Sequence, residues 1–457
     1  MFVLGVTAAY GADLILGEEV SFSNGASNLK ANNVQDAIEE LYDKTVSDSS
    51  CKSVSAPKLG GGLVPVTIEN DGTVKYADTT KKWYNYCDKR WANAVILEDG
   101  TNYKTGDTIS EADIQSYFVW IPKYKYKLWN TGTASEGIHE IEIVFDETNT
   151  TDVEGVSCKT PMTSGESGNC NNGEYMTHPS FISMNANGFW VGKFETGYKG
   201  ATSTAAAQVN ANDTSKVIIK SNVYSWRNIT IKNIFETSYN YKRNLDSHMM
   251  KNTEWGAISY LSHSKYGINR EININNNSSY KTGYSASRST YQQTSPGESG
   301  DGSNFNSAYN TINGFKASTT ENITGVYDMS GGAWEYMASY ITGKLGSSGF
   351  STTTLDIYDS KYFDQYNASS NETSYQYRIL GDATGEMGIF KKFIDNDNNS
   401  RYHSSWYGDF SSFVDSTYPW LTRGGIFSNG MIGGSFYFSR FTGANNTYGT
   451  FRIVLTP

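Results

Sequence analysis

Two adjacent glycines, Gly331 and Gly332, lie between the acidic residues Asp328 and Glu335, and Trp334 follows them almost at once. A Gly-Gly pair frees the backbone for a tight or left-handed turn and lets its carbonyls approach a bound group closely. The two carboxylates could then face a cation. The residues leave open a second interpretation, a turn that leads into a buried tryptophan.

Aromatic residues dominate an otherwise modest hydrophobic content, with 33 tyrosines, 21 phenylalanines and 10 tryptophans among 457 residues. Rings separated by short polar runs are typical of a loop-rich fold with many strands, in which some tyrosines stay exposed for contacts. The net charge of −10 argues against a general attraction to nucleic acid or to anionic membranes. Lys123, Lys125 and Lys127 alternate along the chain and predict a solvated strand face.

The four cysteines are Cys51, Cys87, Cys158 and Cys170. Their even number and their order as two sequential pairs predict two disulfides in an oxidising compartment, Cys51 with Cys87 and Cys158 with Cys170. A zinc site is the alternative, although the chain contains no C-x-x-C pair and its histidines follow no ligand spacing.

Three regions are expected along the chain. Residues 1–46 form a signal, anchor or assembly segment, because an apolar run over 1–12 ends in small residues and 32–42 predict a short helix. An ordinary first strand is the alternative for the apolar run. Residues 47–116 form a small β module with a hairpin at Asp71-Gly72, closed by the first disulfide. Residues 117–457 form the large domain, and a membrane could be reached only through the N-terminal segment.

The N-terminal segment and the large domain each resemble known groups of proteins. Residues 33–42 are similar to a segment that recurs in tail and surface proteins of gut Firmicutes and their phages. The large domain resembles the formylglycine-generating-enzyme family, which implies an α+β, loop-rich, C-type-lectin-like fold. The segments that carry this resemblance, in the family's order, are 118–122 (FVWIP), 188–195 (GFWVGKFE), 253–261 (TEWGAISYL), 325–336 (GVYDMSGGAWEY), 421–425 (LTRGG) and 449–455 (GTFRIVL).

The same resemblance implies a structural calcium ion and no catalysis. In that family the central motif holds calcium, and the matching ligands here are the side chains of Asp328 and Glu335 and the carbonyls of Gly331 and Ala333. Turn capping by the two carboxylates is the alternative. The oxidase members bind copper through paired thiols near the C-terminus, whereas no cysteine follows Cys170 here, so we expect a non-enzyme.

The C-terminal segment 424–452 has glycines that frame tyrosine, serine, asparagine and phenylalanine, the chemistry that antibody loops use for contacts. It resembles the variable proteins of diversity-generating retroelements, which randomise a C-terminal patch on a lectin-like domain. In the alternative interpretation, Phe436 and Phe438 point into the core and Tyr437 and Ser439 are simply exposed. The predicted ligand-binding residues are Ile426, Phe427, Ser428, Tyr437, Ser439, Phe441, Thr442, Thr447 and Tyr448.

The sequence therefore predicts an extracellular, cell-surface or virion protein that binds a ligand in the manner of an adhesin or receptor-binding protein. Its partner would be a protein or glycan on a cell surface, and a homo-oligomer is compatible with this interpretation. Two alternatives remain at this point. One is a structural subunit of a filament or phage tail, and the other is an atypical oxidase of the formylglycine-generating type.

Overall fold

The computed structural model describes residues 54–127, 138, 140–145, 175–286, 306–367, 379–384, 391–393 and 402–457, together with Val34 and Asp36. Met1–Ser53 and Val54–Pro457 form separate compact units. Val34 and Asp36 are helical, in the segment where a short helix is predicted. Within these ranges the structure is α+β and dominated by sheets. None of the helices described is both long and apolar enough to cross a membrane.

An eight-stranded antiparallel sheet joins the beginning and the end of the larger unit. The predicted boundary between residues 116 and 117 falls inside its strand Ile114–Pro122, so residues on both sides of that boundary share one sheet. From one edge to the other, its strands are β12 (His248–Met249), β23 (Ile453–Leu455), β9 (Gly188–Gly192), β5 (Ile114–Pro122), β3 (Asn93–Leu97), β1 (Leu63–Ile68), β2 (Val74–Tyr76) and β4 (Thr108–Ile109).

The hairpin predicted at Asp71-Gly72 is confirmed. Strands β1 and β2 pair with Ile68 opposite Val74, and Gly72 has a φ of 95°, which glycine adopts without a steric penalty. Farther along the sheet, Trp120 of β5 and Trp190 of β9 are directly opposite each other, with ring centroids 5.3 Å apart. The continuous apolar run of β5 is thus buried on both faces of a central strand.

A second sheet carries most of the C-terminal segment. Strand β15 (Trp334–Ile341) is central, because β20 (Trp420–Gly424) lies on one side of it and β16 (Asp364–Tyr366) on the other. The remaining strands continue outward from β20 in the order β21 (Gly434–Phe441), β19 (Phe410–Ser411), β18 (Tyr402–Ser404) and β17 (Lys391–Phe393), and β22 (Gly449–Thr450) pairs in parallel with β15.

Short strands and helices cover these two sheets. The spacing of apolar residues over 249–261 predicts a helix, and the structure has one over Asn252–Ser262, while Met249 belongs to β12. All residues of this helix are buried, and the indole of Trp255 donates to Ser435 O at 2.7 Å. The helices are α1 (Pro179–Met184), α2 (Ile231–Tyr241), α3 (Asn252–Ser262) and α4 (Thr352–Leu355). The small sheets pair β10 (Gly197–Tyr198) with β11 (Val217–Ile218), β13 (Tyr284–Ser285) with β14 (Ser307–Ala308), and β6 (Tyr124–Lys127) with both β7 (Ile143–Phe145) and β8 (Tyr175–Thr177).

The prediction of a solvated lysine face was wrong for two of the three lysines. Lys123 and Lys125 are only 5% and 7% exposed, and Tyr124 and Tyr126, which alternate with them, are fully buried. Because successive side chains point to opposite faces, both faces of this segment are covered by the fold. Lys127, at the end of β6, is half-buried and pairs with Glu142 at 3.2 Å. Alternation along a strand therefore did not mark a solvent face here.

Cys87 is the one cysteine inside the described ranges, and it is disulfide-bonded. Cys51, Cys158 and Cys170 lie outside the described residues, so both predicted pairings stay predictions.

Asp364 links β16 to the first turn of α3 and titrates in an unusual range. Its carboxylate accepts from Thr253 N at 2.7 Å and from Thr253 Oγ1 at 3.1 Å. Burial raises the pKa of Asp364 from 3.8 to about 6. Between these values the folded protein holds a proton that the unfolded chain has lost, so this residue's contribution to stability falls as pH rises through the window.

We expect Asp364→Asn to remove this loss of stability at higher pH, because asparagine carries no titratable proton. The free energy of unfolding of the variant, relative to the natural chain, should rise by about 3 kcal/mol from below the window to above it. Urea denaturation at several pH values measures the difference. The exposed Asp356→Asn change serves as the control of equal charge, and a relative stability of Asp364→Asn that does not change with pH would contradict the expectation.

Candidate functional site

The Gly331-Gly332 turn joins two segments that are distant in sequence. Gly331 N donates to Gly424 O at 3.0 Å, and Gly332 N donates to Asn275 O at 2.8 Å. Gly332 O in turn accepts from Phe427 N at 2.9 Å. Both glycines have positive φ values, 75° and 72°, which side chains other than glycine adopt at a cost. The turn therefore fixes the backbone where the C-terminal loop begins.

The two acidic residues of the motif are buried and already have protein partners. Asp328 accepts from Gly283 N and from Asn275 Nδ2, each at 2.9 Å. Glu335 pairs with Arg452 through Nε at 3.0 Å and Nη2 at 2.5 Å. The same guanidinium donates to two backbone carbonyls, so it connects the motif to the first sheet. Motif and closing strand are thus joined by a buried, bidentate ion pair.

These hydrogen bonds do not fit the calcium set of Asp328, Gly331, Ala333 and Glu335. Calcium requires several oxygens that point to one centre, whereas the oxygens of Glu335 face a guanidinium and those of Asp328 face amide donors. Within the described ranges, no group of three or more His, Cys, Asp or Glu side chains could hold a metal ion. Calcium at this turn stays a prediction drawn from the resemblance.

A third buried carboxylate, Glu195, lies beside the turn. It accepts from Ala333 N at 2.9 Å and from the hydroxyl of Ser225, and a Cβ at Gly332 would come within 2.3 Å of its Oε1. Burial, together with the charges of Asp328 and Glu335, raises the pKa of Glu195 well above its usual range. Sequence reasoning missed this role, although Glu195 ends the segment 188–195 that resembles the family.

The nine predicted ligand-binding residues differ in exposure. Ser428, Thr447 and Tyr448 are exposed, whereas Ile426, Phe427, Ser439, Phe441 and Thr442 are half-buried. Tyr437 is buried, and both interpretations of the sequence had expected it at the surface.

The burial of Tyr437 has a physical reason. Phe436, Tyr437 and Phe438 of β21 are 0%, 5% and 0% exposed, and because consecutive strand residues point to opposite faces, both faces of the sheet are covered there. The ring of Tyr437 packs 5.6 Å from that of Phe410, and burial raises the pKa of its hydroxyl to about 12. Tyr437 is therefore part of the core rather than of a contact surface.

The exposed and half-buried positions meet rings from other parts of the chain. Phe427 packs edge-on against Tyr280, with centroids 4.9 Å apart. The ring centroid of Trp334, the first residue of β15, lies 5.9 Å from that of Tyr448 and 5.8 Å from that of Phe441. We call these five residues the aromatic face.

Arg227 connects the two parts of the aromatic face. Its guanidinium lies 3.8 Å above the ring of Tyr280, within the range of a cation–π contact. It also donates to Thr447 O, next to Tyr448, and to Thr204 Oγ1 at 2.6 Å. Tyr280 and Arg227 were missed at the sequence level, because Tyr280 lies in a polar stretch with no periodic pattern.

No protein-family model matches the chain, and no curated protein matches it. Among solved structures, the chain is similar to two Major Tropism Determinant variants. The I1 variant has 12% identity and a TM-score of 0.29, and the P3c variant has 12% identity and a TM-score of 0.28. In both comparisons the match covers 88% of this chain and 86% of the other.

Proposed function

We propose that this chain is a non-enzymatic ligand-binding protein that presents the aromatic face on a C-type-lectin-like scaffold. It would act as a receptor-binding or adhesin-like protein at a cell surface or on a virion. The observation that carries the proposal is the aromatic face itself, in which the exposed Tyr448 and the half-buried Phe427, Phe441 and Trp334 are joined by the buried Tyr280 and rest on a hydrogen-bonded backbone. Such preorganisation reduces the entropic cost of binding.

The positions of the family-like segments support the scaffold. Segments 118–122, 188–195 and 449–455 contribute the adjacent strands β5, β9 and β23 of the first sheet. Segments 325–336 and 421–425 contribute the adjacent strands β15 and β20 of the second sheet. Pieces of sequence that resemble one family in order thus become neighbours in space, which favours a formylglycine-generating-enzyme-type arrangement of the C-type-lectin-like fold.

The chemistry of the aromatic face suits a glycan or a protein surface. Tyr448 is 45% exposed and presents a flat ring with a hydroxyl, and exposed hydroxyls follow from Thr447, adjacent to Tyr448, and from Ser428, adjacent to Phe427. Tyrosine combines large contact area with few rotatable bonds, so it binds at low entropic cost. The backbone of the loop is fixed through Gly332 O and Arg227, which do not depend on the identity of these exposed side chains. This independence supports diversification of the exposed positions.

We expect Phe427→Ala and Tyr448→Ala each to weaken binding by roughly 10- to 30-fold, as is usual for central aromatic contacts. Fluorescently labelled protein is first applied to a panel of intact bacteria, and binding of the variants is then titrated on an adherent strain. Thermal unfolding should change little, because both side chains are partly exposed.

Ile357→Ala is the matched control, since Ile357 is a large apolar residue that is 73% exposed and lies outside the aromatic face. Equal binding by the natural chain, both variants and this control would refute the proposed face. The filament-subunit and oxidase alternatives stay hypotheses. The first depends on residues 13–42, of which the structure describes Val34 and Asp36.

A further inference from the structure

A cavity of about 380 Å³ opens beside β1, and none of its lining residues belongs to the aromatic face. Its walls come from β1 and the turn after it, from the segment around residues 83–93, and from residues 322–324. The volume lies in the lower part of the range of small-molecule sites. One or two sugar rings are of suitable size.

Two indoles form the aromatic part of the lining. Trp91 is 1% exposed and held firmly, because its Nε1 donates to Tyr266 O at 2.8 Å and its ring stacks on Tyr86 with centroids 6.0 Å apart. Trp83 is half-buried and packs edge-on against Tyr84 at 5.1 Å. A half-buried, well-supported indole offers a rigid surface for the apolar C–H face of a ligand.

Polar groups surround these indoles. Glu69 and Arg90 line the cavity with side chains that are 55% and 60% exposed, and their ion pairs with Lys75 and Asp88 are long, at 3.4 and 3.5 Å. Exposed pairs of this kind contribute little to stability and exchange easily for a ligand. The two lining charges cancel, which favours a neutral ligand over an ionic one. Asn322 adds an amide fixed by its bond to Lys89 O at 2.9 Å.

The side chain of Trp83 carries a donor that has no acceptor within the described ranges. Trp83 Nε1 is buried, and no hydrogen-bond acceptor for it is found among the described residues. An unsatisfied buried donor costs about 1–3 kcal/mol, so an acceptor that reached it would recover free energy. Because Nε1 is inaccessible to solvent, a ligand hydroxyl becomes such an acceptor only when the Trp83 side chain turns this atom toward the cavity.

We propose that this cavity binds a neutral saccharide of one or two rings. Trp83 would stack on the C–H face of a sugar ring, and Glu69 and Arg90 would accept from and donate to its hydroxyls. This site is independent of the aromatic face, so the chain would carry two separate ligand-binding surfaces.

Saturation-transfer-difference NMR tests the proposal, with the methyl glycosides of glucose, galactose, mannose and N-acetylglucosamine and the disaccharides cellobiose and lactose as probes. We expect transfer to at least one probe, with Trp83→Ala and Arg90→Gln each weakening its binding by about tenfold or more. Trp83→Phe should bind better than Trp83→Ala but more weakly than the natural chain, because a phenyl ring preserves the stacking surface and lacks the Nε1 donor.

Tyr448→Ala is the control that separates this site from the aromatic face, and it should leave probe binding unchanged. Thermal unfolding of every variant verifies folding. The proposal is overturned by absence of transfer to all six probes, by transfer that Trp83→Ala and Arg90→Gln do not alter, or by transfer that Tyr448→Ala abolishes.

Discussion

Arg452→Met is expected to lower the free energy of unfolding by about 3–5 kcal/mol, the usual cost of leaving a buried carboxylate without its partner. Arg452 and Glu335 are both fully buried, and their bonds at 2.5 and 3.0 Å join the central motif to the residue before β23. The lost free energy of unfolding should exceed the cost of breaking one ion pair, because the guanidinium also attracts the carboxylate of Asp328. Urea denaturation measures the change.

Two comparisons make this expectation specific. Arg270→Met breaks an exposed pair with Glu321 and should cost no more than about 1 kcal/mol. The double change Arg452→Met with Glu335→Leu should be more stable than Arg452→Met alone, because no unpaired carboxylate then remains at residue 335. The measurements are repeated with EDTA and with calcium chloride. If calcium stabilised the natural chain and Arg452→Met had little effect, the result would contradict the expectation. It would indicate that a calcium ion, rather than Arg452, stabilises the acidic motif.

Arg227→Lys is expected to weaken ligand binding about tenfold, equivalent to ~1.4 kcal/mol, while the protein stays folded. A lysine keeps the charge but cannot lie flat on Tyr280 and donate to Thr447 and Thr204 at the same time. We therefore treat Arg227 as a positioning residue that sets the spacing between Phe427 and Tyr448. Binding is titrated on the adherent strain, and hydrogen exchange follows the amides of 444–448, which should exchange faster in the variant.

Arg243→Lys provides a matched control in another part of the fold. Arg243 also stacks on a tyrosine, 3.6 Å from the ring of Tyr239, and donates to backbone carbonyls, but it touches no residue of the aromatic face. This variant should bind as the natural chain does. If the two lysine variants lost binding equally, Arg227 would have only a general structural role.

Local patterns predicted the elements whose signal lies within one stretch of chain. The Asp71-Gly72 turn depends on neighbouring residues, and the structure confirms it. The continuous apolar run 118–121, which predicts a strand, lies in β5, and the helical spacing over 249–261 becomes α3 from Asn252 onward. The Gly331-Gly332 turn was also predicted locally. Its partners were not, because Gly424 and Asn275 reach it only through the tertiary fold.

Most of the candidate site depends on contacts between distant residues. Tyr280 acquires its position from Arg227 and Phe427, and Glu195 acquires its raised pKa from burial and from Asp328 and Glu335. Packing on both sides of a sheet also reversed two surface predictions.

Those two predictions concerned Lys125 in β6 and Tyr437 in β21, and both residues are buried because both faces of their strands are covered by the fold. An alternating pattern reports which side chains share a face, but it does not report whether that face meets water.

Strand β23 has a consequence for biosynthesis. It lies between β9 and β12, and the residue just before it, Arg452, neutralises the buried Glu335. While residues 452–455 are still inside the ribosome, the edges of β9 and β12 that β23 will pair with are open. The carboxylate of Glu335 also has no arginine partner at that stage. Open edges recruit other chains, so this interval is the one in which a holdase chaperone would protect the protein from aggregation.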